Sequence, residues 1–158
     1  MNIRKKLIPS DVEAVKEILE STGFFYSSEV EIAMELAKEN LVKGEEISGY
    51  IFNIAEIDSK PIGFTTYGEI PGTADSFDLY WIAVHQSQRG KGIGKILLDL
   101  AIDDIKKMEG KKVWIETSSR DIYLPTRQFY LKNDCQLVAE LPDYYGAEDN
   151  KVIFMRKI

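Results

Sequence analysis

Three glycines at alternate positions break the chain near its middle, in Gln88-Arg89-Gly90-Lys91-Gly92-Ile93-Gly94-Lys95. Regular structure does not run through such a stretch, because glycine loses the most freedom on ordering and offers no side chain to pack. The residues before it, Ser76 to Val84, are rich in the β-branched and aromatic types of a strand. The residues after it place Ile93, Ile96, Leu97, Leu100, Ala101, Ile105 and Met108 on one helical face. The turn therefore joins a strand to a long amphipathic helix. Bare backbone N–H groups can converge there on an anion, and the helix adds unpaired N–H groups and the positive end of its dipole. Arg89, Lys91 and Lys95 cluster at this turn in a chain whose formal net charge is −6. A strand, a bare turn, a helix start and local cations make a phosphate site.

The remaining elements can be read around this turn. Asn2 to Ile8 reads as a strand. Ser10 and Glu13 have capping-box spacing ahead of Val12, Val15, Ile18 and Leu19, and Gly23 can end that helix. Ser28 and Glu31 repeat the spacing ahead of a second helix through Val30, Met34, Ala37 and Leu41, with Gly44 as its stop. Tyr50–Ile57 and Ile62–Ile70 read as a hairpin across Asp58-Ser59-Lys60-Pro61. Gly110 ends the long helix, and Lys112–Thr117 is a further strand. A helix over Ile122–Asn133 takes Pro125 in its first turn. Gln136–Leu141 and Lys151–Lys157 close the chain as strands joined by Leu141-Pro142-Asp143-Tyr144-Tyr145-Gly146. The expected fold is α/β in one domain, residues 1–158: a mixed, mostly antiparallel twisted sheet of about seven strands, flanked by about four helices.

Composition narrows the function. Hydrophobic residues make up 44% and charged residues 29% of the 158 residues, the profile of a globular chain. No apolar run reaches the roughly 20 residues that cross a bilayer, and no signal-peptide h-region follows Met1. An acidic chain is a poor partner for nucleic acid. One cysteine, Cys135, allows no internal disulfide, and with one histidine, His85, there is no zinc motif. The expectation is a cytoplasmic protein without metal, membrane or nucleic-acid partner.

Two familiar phosphate motifs fail at the turn. The P-loop needs a glycine where Arg89 stands and Ser or Thr where Ile96 stands. The dinucleotide fingerprint, started at Gly90, needs a glycine at Lys95. Arg89, Gly92 and Gly94 instead match Gln/Arg-x-x-Gly-x-Gly/Ala, and the chain resembles the GNAT superfamily of N-acetyltransferases over nearly its whole length. The resemblance implies that Arg89, Gly90, Lys91, Gly92, Ile93, Gly94 and Lys95 bind the pyrophosphate of acetyl-coenzyme A. It implies that Ile82, Ala83 and Val84 lie on the strand that pairs with the pantetheine arm. Tyr123-Leu124-Pro125-Thr126-Arg127-Gln128-Phe129-Tyr130 resembles the family's later helix, with Arg127 and Tyr130 towards the coenzyme and Tyr130 beside its sulfur. The family's frequent Gly-Phe after this helix is Asp134-Cys135 here, and its frequent asparagine is Tyr123.

Acetyl transfer to an amine needs a base for the ammonium, a donor facing the oxyanion and an acid for the leaving thiolate. The resemblance gives Tyr130 the acid's part and a backbone N–H near Ile82 the oxyanion's. Asp78, which shares a strand face with Tyr80 and Ile82, is the first candidate base, with Glu69 and Glu116 as competitors and His85 a lesser one. Water chains can also serve. Tyr144 and Tyr145 are candidate walls for a cationic amine, with Phe25, between Phe24 and Tyr26, opposite. Cys135 reads as a small buried side chain. The expected acceptor is a small-molecule amine or a protein amino group, attacked directly in a ternary complex. The resemblance also allows a homodimer, and a non-catalytic acyl-coenzyme A-binding module is the alternative function.

Overall fold

A computed structural model describes residues 1–158. The elements follow in the expected order: β1 (Asn2–Arg4), α1 (Asp11–Thr22), α2 (Ser27–Ser48), β2 (Ile51–Ile57), β3 (Lys60–Glu69), β4 (Ser76–Val84), α3 (Ile93–Lys107), β5 (Lys112–Ser118), α4 (Leu124–Lys132), β6 (Gln136–Gly146) and β7 (Asp149–Lys157). The seven strands form one sheet in the order β1-β2-β3-β4-β5-β7-β6. Among the registered pairs only β4–β5 is parallel; β1–β2, β2–β3, β5–β7 and β6–β7 are antiparallel. The fold divides into two compact units that interleave along the chain. One comprises Met1–Gly68 and Tyr80–Asp104, the other Glu69–Leu79 and Ile105–Ile158.

In the first unit, the α1 residues Val15, Ile18 and Leu19 pack with Val30, Ala33 and Ala37 of α2 on Phe52, Ile54 and Phe64 of β2 and β3. Fully burying one such aliphatic or aromatic side chain contributes about 1.5–3 kcal/mol, so this cluster fixes both helices on the strands. A second cluster joins Ala55 and Ile62 to Ile93 and Leu97 of α3. The α3 stripe is turned from the expected one, since Leu98 and Ile102 are buried while Ile96 and Met108 face solvent. The hairpin turn is only Asp58-Ser59, both with positive φ, and Lys60 already pairs with Ile57.

The expected caps form differently. Ser10 has helical backbone angles, so its hydroxyl is not in a cap position and bonds no N–H. Asp11 acts instead: its carboxylate accepts from Ile8 N at 2.7 Å and from both terminal nitrogens of Arg4 at 2.8 Å. Arg4 also holds Glu56 of β2, which ties β1 to its neighbours. At α2 the Ser28–Glu31 pair is replaced by Glu29, whose carboxylate accepts from Tyr26 N at 2.9 Å. Gly44, with φ 79° and ψ 168°, stops the first helical stretch of α2 as expected. The helix resumes to Ser48 and ends at Gly49.

In the second unit, β5 pairs with β7 from Lys112↔Lys157 to Ser118↔Lys151. Phe77, Leu79, Val113, Ile115, Val152 and Phe154 are its buried strand residues, with Tyr123, Tyr130 and Cys135 buried from α4 and its flanks. Gly110 does not supply the left-handed residue after α3; Glu109 does, with φ 63°. Gly110 is needed for room, because a Cβ there would stand 2.4 Å from Ile105 Cγ2 and 2.8 Å from the Phe77 ring. Leu141–Gly146 is not a loop but the end of β6. Asp143 N donates to the Asn150 side chain at 2.9 Å and the Asp143 carboxylate accepts from Glu148 N at 2.8 Å, so side chains carry the pairing across a bulge. Pro142 is tolerated because β6 is the edge strand.

Candidate active site

The glycine turn is held at both of its ends in the first unit. A 3₁₀ turn at Gln86–Gln88 leads into it, capped by the His85 ring, which accepts from Ser87 N at 3.2 Å. Gln86 N donates to Ser21 of α1 at 3.0 Å, and His85 N to Ile62 O at 2.8 Å. Histidine here is a structural cap. Gly90 and Gly92 then take φ 76° and 77°, and a Cβ at either would meet no atom within 4 Å. Both face open space in a conformation that costs other residues about 1–2 kcal/mol. The first backbone bond at the start of α3 runs from Ile96 N to Gly92 O at 3.1 Å. The N–H groups of Ile93, Gly94 and Lys95 precede it, where a helix leaves its donors without backbone partners. Ile93, buried in the Ala55–Ile62–Leu97 cluster, anchors these donors.

The three cations of the turn are exposed and lightly held. Arg89 stacks over Phe24 at 4.8 Å and reaches Gln86 Oε1 at 3.3 Å. Lys91 bonds Gln88 Oε1 at 2.8 Å, and Lys95 pairs with Asp99 one helical turn on. Surface pairs of this sort contribute little, so these side chains can be redirected to a ligand at small cost. On β4, Ala83 is buried while Ile82 and Val84 pack partly against the α3 cluster. Its registered pairing with β5 ends at Leu79↔Ile115, although β4 continues to Val84. Phe25 meets Trp81 edge-on at 5.1 Å and packs on the core, which makes it part of the hydrophobic support of this unit.

The second unit gathers a different set. The register Asp78↔Trp114 puts Asp78 on the face that also carries Glu116, and Glu116↔Ile153 adds Lys151 to it two residues along β7. Burial pushes the Asp78 carboxyl above the usual carboxylate range; Glu116 adds to this and Lys151 partly opposes it. Lys151 Nζ lies 2.9 Å from Glu116 Oε2 and 3.8 Å from the centroid of Tyr144. Tyr144 and Tyr145 meet edge-to-face at 5.1 Å. Glu69 ends β3 in solvent, apart from any hydrogen-bonded cluster.

Tyr130 is buried, with Phe129 and Phe154 rings at 5.5 and 5.6 Å. Burial, with a smaller contribution from Cys135, raises its phenol far above the ordinary value, so it is protonated throughout the neutral range. The Cys135 thiol is pushed up to about 11, chiefly by burial, which leaves it a poor nucleophile. Arg127 donates through Nη1 to Ser118 O at 2.8 Å and to Arg120 O at 2.9 Å. That guanidinium thus holds the chain leaving β5, where Ser118 also bonds Asp149 and Arg120 pairs with Asp149 at 3.3 Å.

Comparison with known proteins decides the family. The model of the acetyltransferase (GNAT) family matches residues 13–134. The chain belongs to the GNAT acetyltransferase family. A member of this family is an acyltransferase enzyme, and its glycine turn falls within the matched span. A solved structure from Desulfovibrio desulfuricans, assigned to the same family, is similar at 36% identity over 99% of this chain and 98% of that one, with a TM-score of 0.95. Two more distant structures share the fold. One is an aminoglycoside 6'-N-acetyltransferase complexed with coenzyme A, at 17% identity, 99% and 97% coverage and TM-score 0.77. The other is the ribosomal-protein-S18-alanine N-acetyltransferase of Escherichia coli, at 20% identity, 99% and 93% coverage and TM-score 0.77. A search of curated proteins finds no match. Of this acetyltransferase's charged residues, Lys151 escapes a reading of the sequence. Its one signal is a lysine directly ahead of the apolar run Val152–Met155, where partners on other strands decide what it does.

Proposed function

We propose that residues 1–158 form one acetyltransferase domain that takes the acetyl group of acetyl-coenzyme A and passes it to a primary amine by direct attack in a ternary complex. The carrying observation is the turn itself: two glycines with positive φ open to solvent, the first N–H groups of α3 behind them, and Arg89, Lys91 and Lys95 around them. The donor set suits a diphosphate, and a relative of the same fold is complexed with coenzyme A. In this reading Arg89 to Lys95 hold the pyrophosphate, and the backbone of Ile82, Ala83 and Val84 meets the pantetheine arm. Arg127 is assigned to the coenzyme with them.

The amine nitrogen must be neutral to attack the thioester, and a lysine-like amine has a pKa of about 10.4, so a base is needed. Asp78 is the preferred base, because burial and Glu116 bring its carboxyl nearer neutrality. Glu69 is exposed and would act only through water. The backbone N–H near Ile82 faces the oxyanion as the tetrahedral intermediate forms. Its collapse breaks the carbon–sulfur bond, and Tyr130, kept protonated by burial, gives the thiolate its proton. The acceptor is a small-molecule amine or a protein amino group, in keeping with the distant relatives named above. The absence of any helix long and apolar enough to cross a membrane, with a single buried cysteine, is consistent with work in the cytoplasm.

Calorimetric titration with acetyl-coenzyme A and coenzyme A, with ATP and NAD as controls, tests the cofactor. Micromolar binding of the coenzyme forms is expected, followed by thiol release on addition of amines. Binding of ATP or NAD alone would move the turn to another enzyme class.

A further inference from the structure

One ammonium group is already seated among the candidate acceptor residues, and it belongs to the protein. Lys151 Nζ stands 2.9 Å from Glu116 Oε2, 3.8 Å from the Tyr144 ring centroid and 5.9 Å from that of Tyr145. Its side chain is only 11% exposed, whereas that of Glu116 is 50% exposed and Tyr144 and Tyr145 are 55% and 48% exposed. The seat has a filled floor and an open rim. Strand register builds it: Ser118↔Lys151 places the lysine diagonally from Glu116, and Leu141↔Lys151 brings β6 alongside just before the bulge that delivers both tyrosines.

A carboxylate at one side and an aromatic face at the other is the chemistry that holds a primary alkylammonium. While Nζ is present, a second ammonium at the same place would face like charge and find its acceptor taken. Resting on the amine-acceptor reading above, we infer that Lys151 is a specificity-determining residue: by occupying the seat of Glu116 and Tyr144 it makes the acceptor a monoamine and turns away di- and polyamines.

The test uses butylamine and 1,4-diaminobutane, titrated by calorimetry into the full chain. The wild type is expected to bind 1,4-diaminobutane about threefold or more weakly than butylamine, since the second ammonium meets Nζ in its place. Lys151→Ala empties the seat and should tighten the diamine about tenfold or more over wild type, with a smaller change for butylamine. Lys151→Arg keeps the charge and should behave as wild type. Adding Glu116→Gln to Lys151→Ala should remove the gain; a gain that persists is general attraction to an acidic chain and overturns the assignment. A wild type that prefers the diamine tenfold overturns it as well, with no variant needed, as does an unchanged diamine affinity in Lys151→Ala. Acetyl-coenzyme A binding, measured separately, fails only if the acetyltransferase reading itself is wrong.

Discussion

The turn at Gly90–Lys95 and the tyrosine pair of β6 both present groups suited to charge, but they are built from different materials. At the turn the donors are main-chain N–H groups, aimed by two left-handed glycines and by the anchoring of Ile93. Side-chain identity matters there mostly by its absence. At the proposed acceptor side, Tyr144, Tyr145, Glu116 and Lys151, the groups are all side chains, on three strands with a bulge between them. Backbone recognition depends on a short local pattern, and so tolerates change elsewhere. Side-chain recognition depends on register across distant strands, and so can be retuned residue by residue. A family can thereby keep one donor of acetyl groups and change its acceptors.

The largest effect is expected at the turn. Gly92→Val brings a branched side chain into a positive-φ position and into the space an anion would use. Losing two or more charge-assisted bonds at about 1.5–3 kcal/mol each predicts roughly 10³-fold weaker acetyl-coenzyme A binding by calorimetry. Unchanged affinity would break the contrast at its backbone end. Tyr130→Phe keeps the ring against Phe154 and removes only the hydroxyl. It should lower kcat about 10²-fold in a thiol-release assay while the Kd for acetyl-coenzyme A stays within about twofold. Equal kcat in the two proteins would remove Tyr130 from the chemistry.

Asp78→Asn tests the side-chain end. With water as the fallback base, kcat/KM should drop about tenfold, and the acid limb of the wild-type pH profile should disappear. Because the folded state raises the Asp78 pKa, ionisation is disfavoured in the native protein, so Asp78 lowers stability as pH rises through its folded value. Asp78→Asn should therefore show a higher Tm than wild type near pH 8 and no such advantage well below the unfolded carboxylate pKa. An advantage at low pH alone would contradict the burial argument. The smallest effect is one of packing. Gly110→Ala meets Ile105 and Phe77 and should destabilise by about 1–3 kcal/mol in urea, with coenzyme affinity unaltered.

Much of the fold is legible in local pattern. The Ser76–Val84 strand, the long α3 helix and the order of elements follow from periodicity, and the turn follows from three glycines beside three cations. What resists reading is set by partners far along the chain. Ser10 looks like a cap, yet Arg4 and Ile8 make Asp11 the better acceptor. Pro142 and Gly146 look like a loop, yet Asp143 and Asn150 carry the strand through. Lys151 is ordinary in sequence and acquires its role only when Glu116 and Tyr144 arrive from β5 and β6.

The interleaving of the two units has a consequence for how the protein is made. All residues of the first unit have been synthesised once Asp104 emerges, while the second waits for β5, α4, β6 and β7. At about 5–20 residues per second the nascent chain spends some seconds with one unit complete and Glu69–Leu79 still without the rest of its own unit. Ser76–Leu79 has no β5 to pair with during that interval. Its β5-facing edge is then unpaired, the kind of open strand edge that invites pairing with another chain. No single cut in the chain separates the two units, so neither can be exchanged as one contiguous cassette.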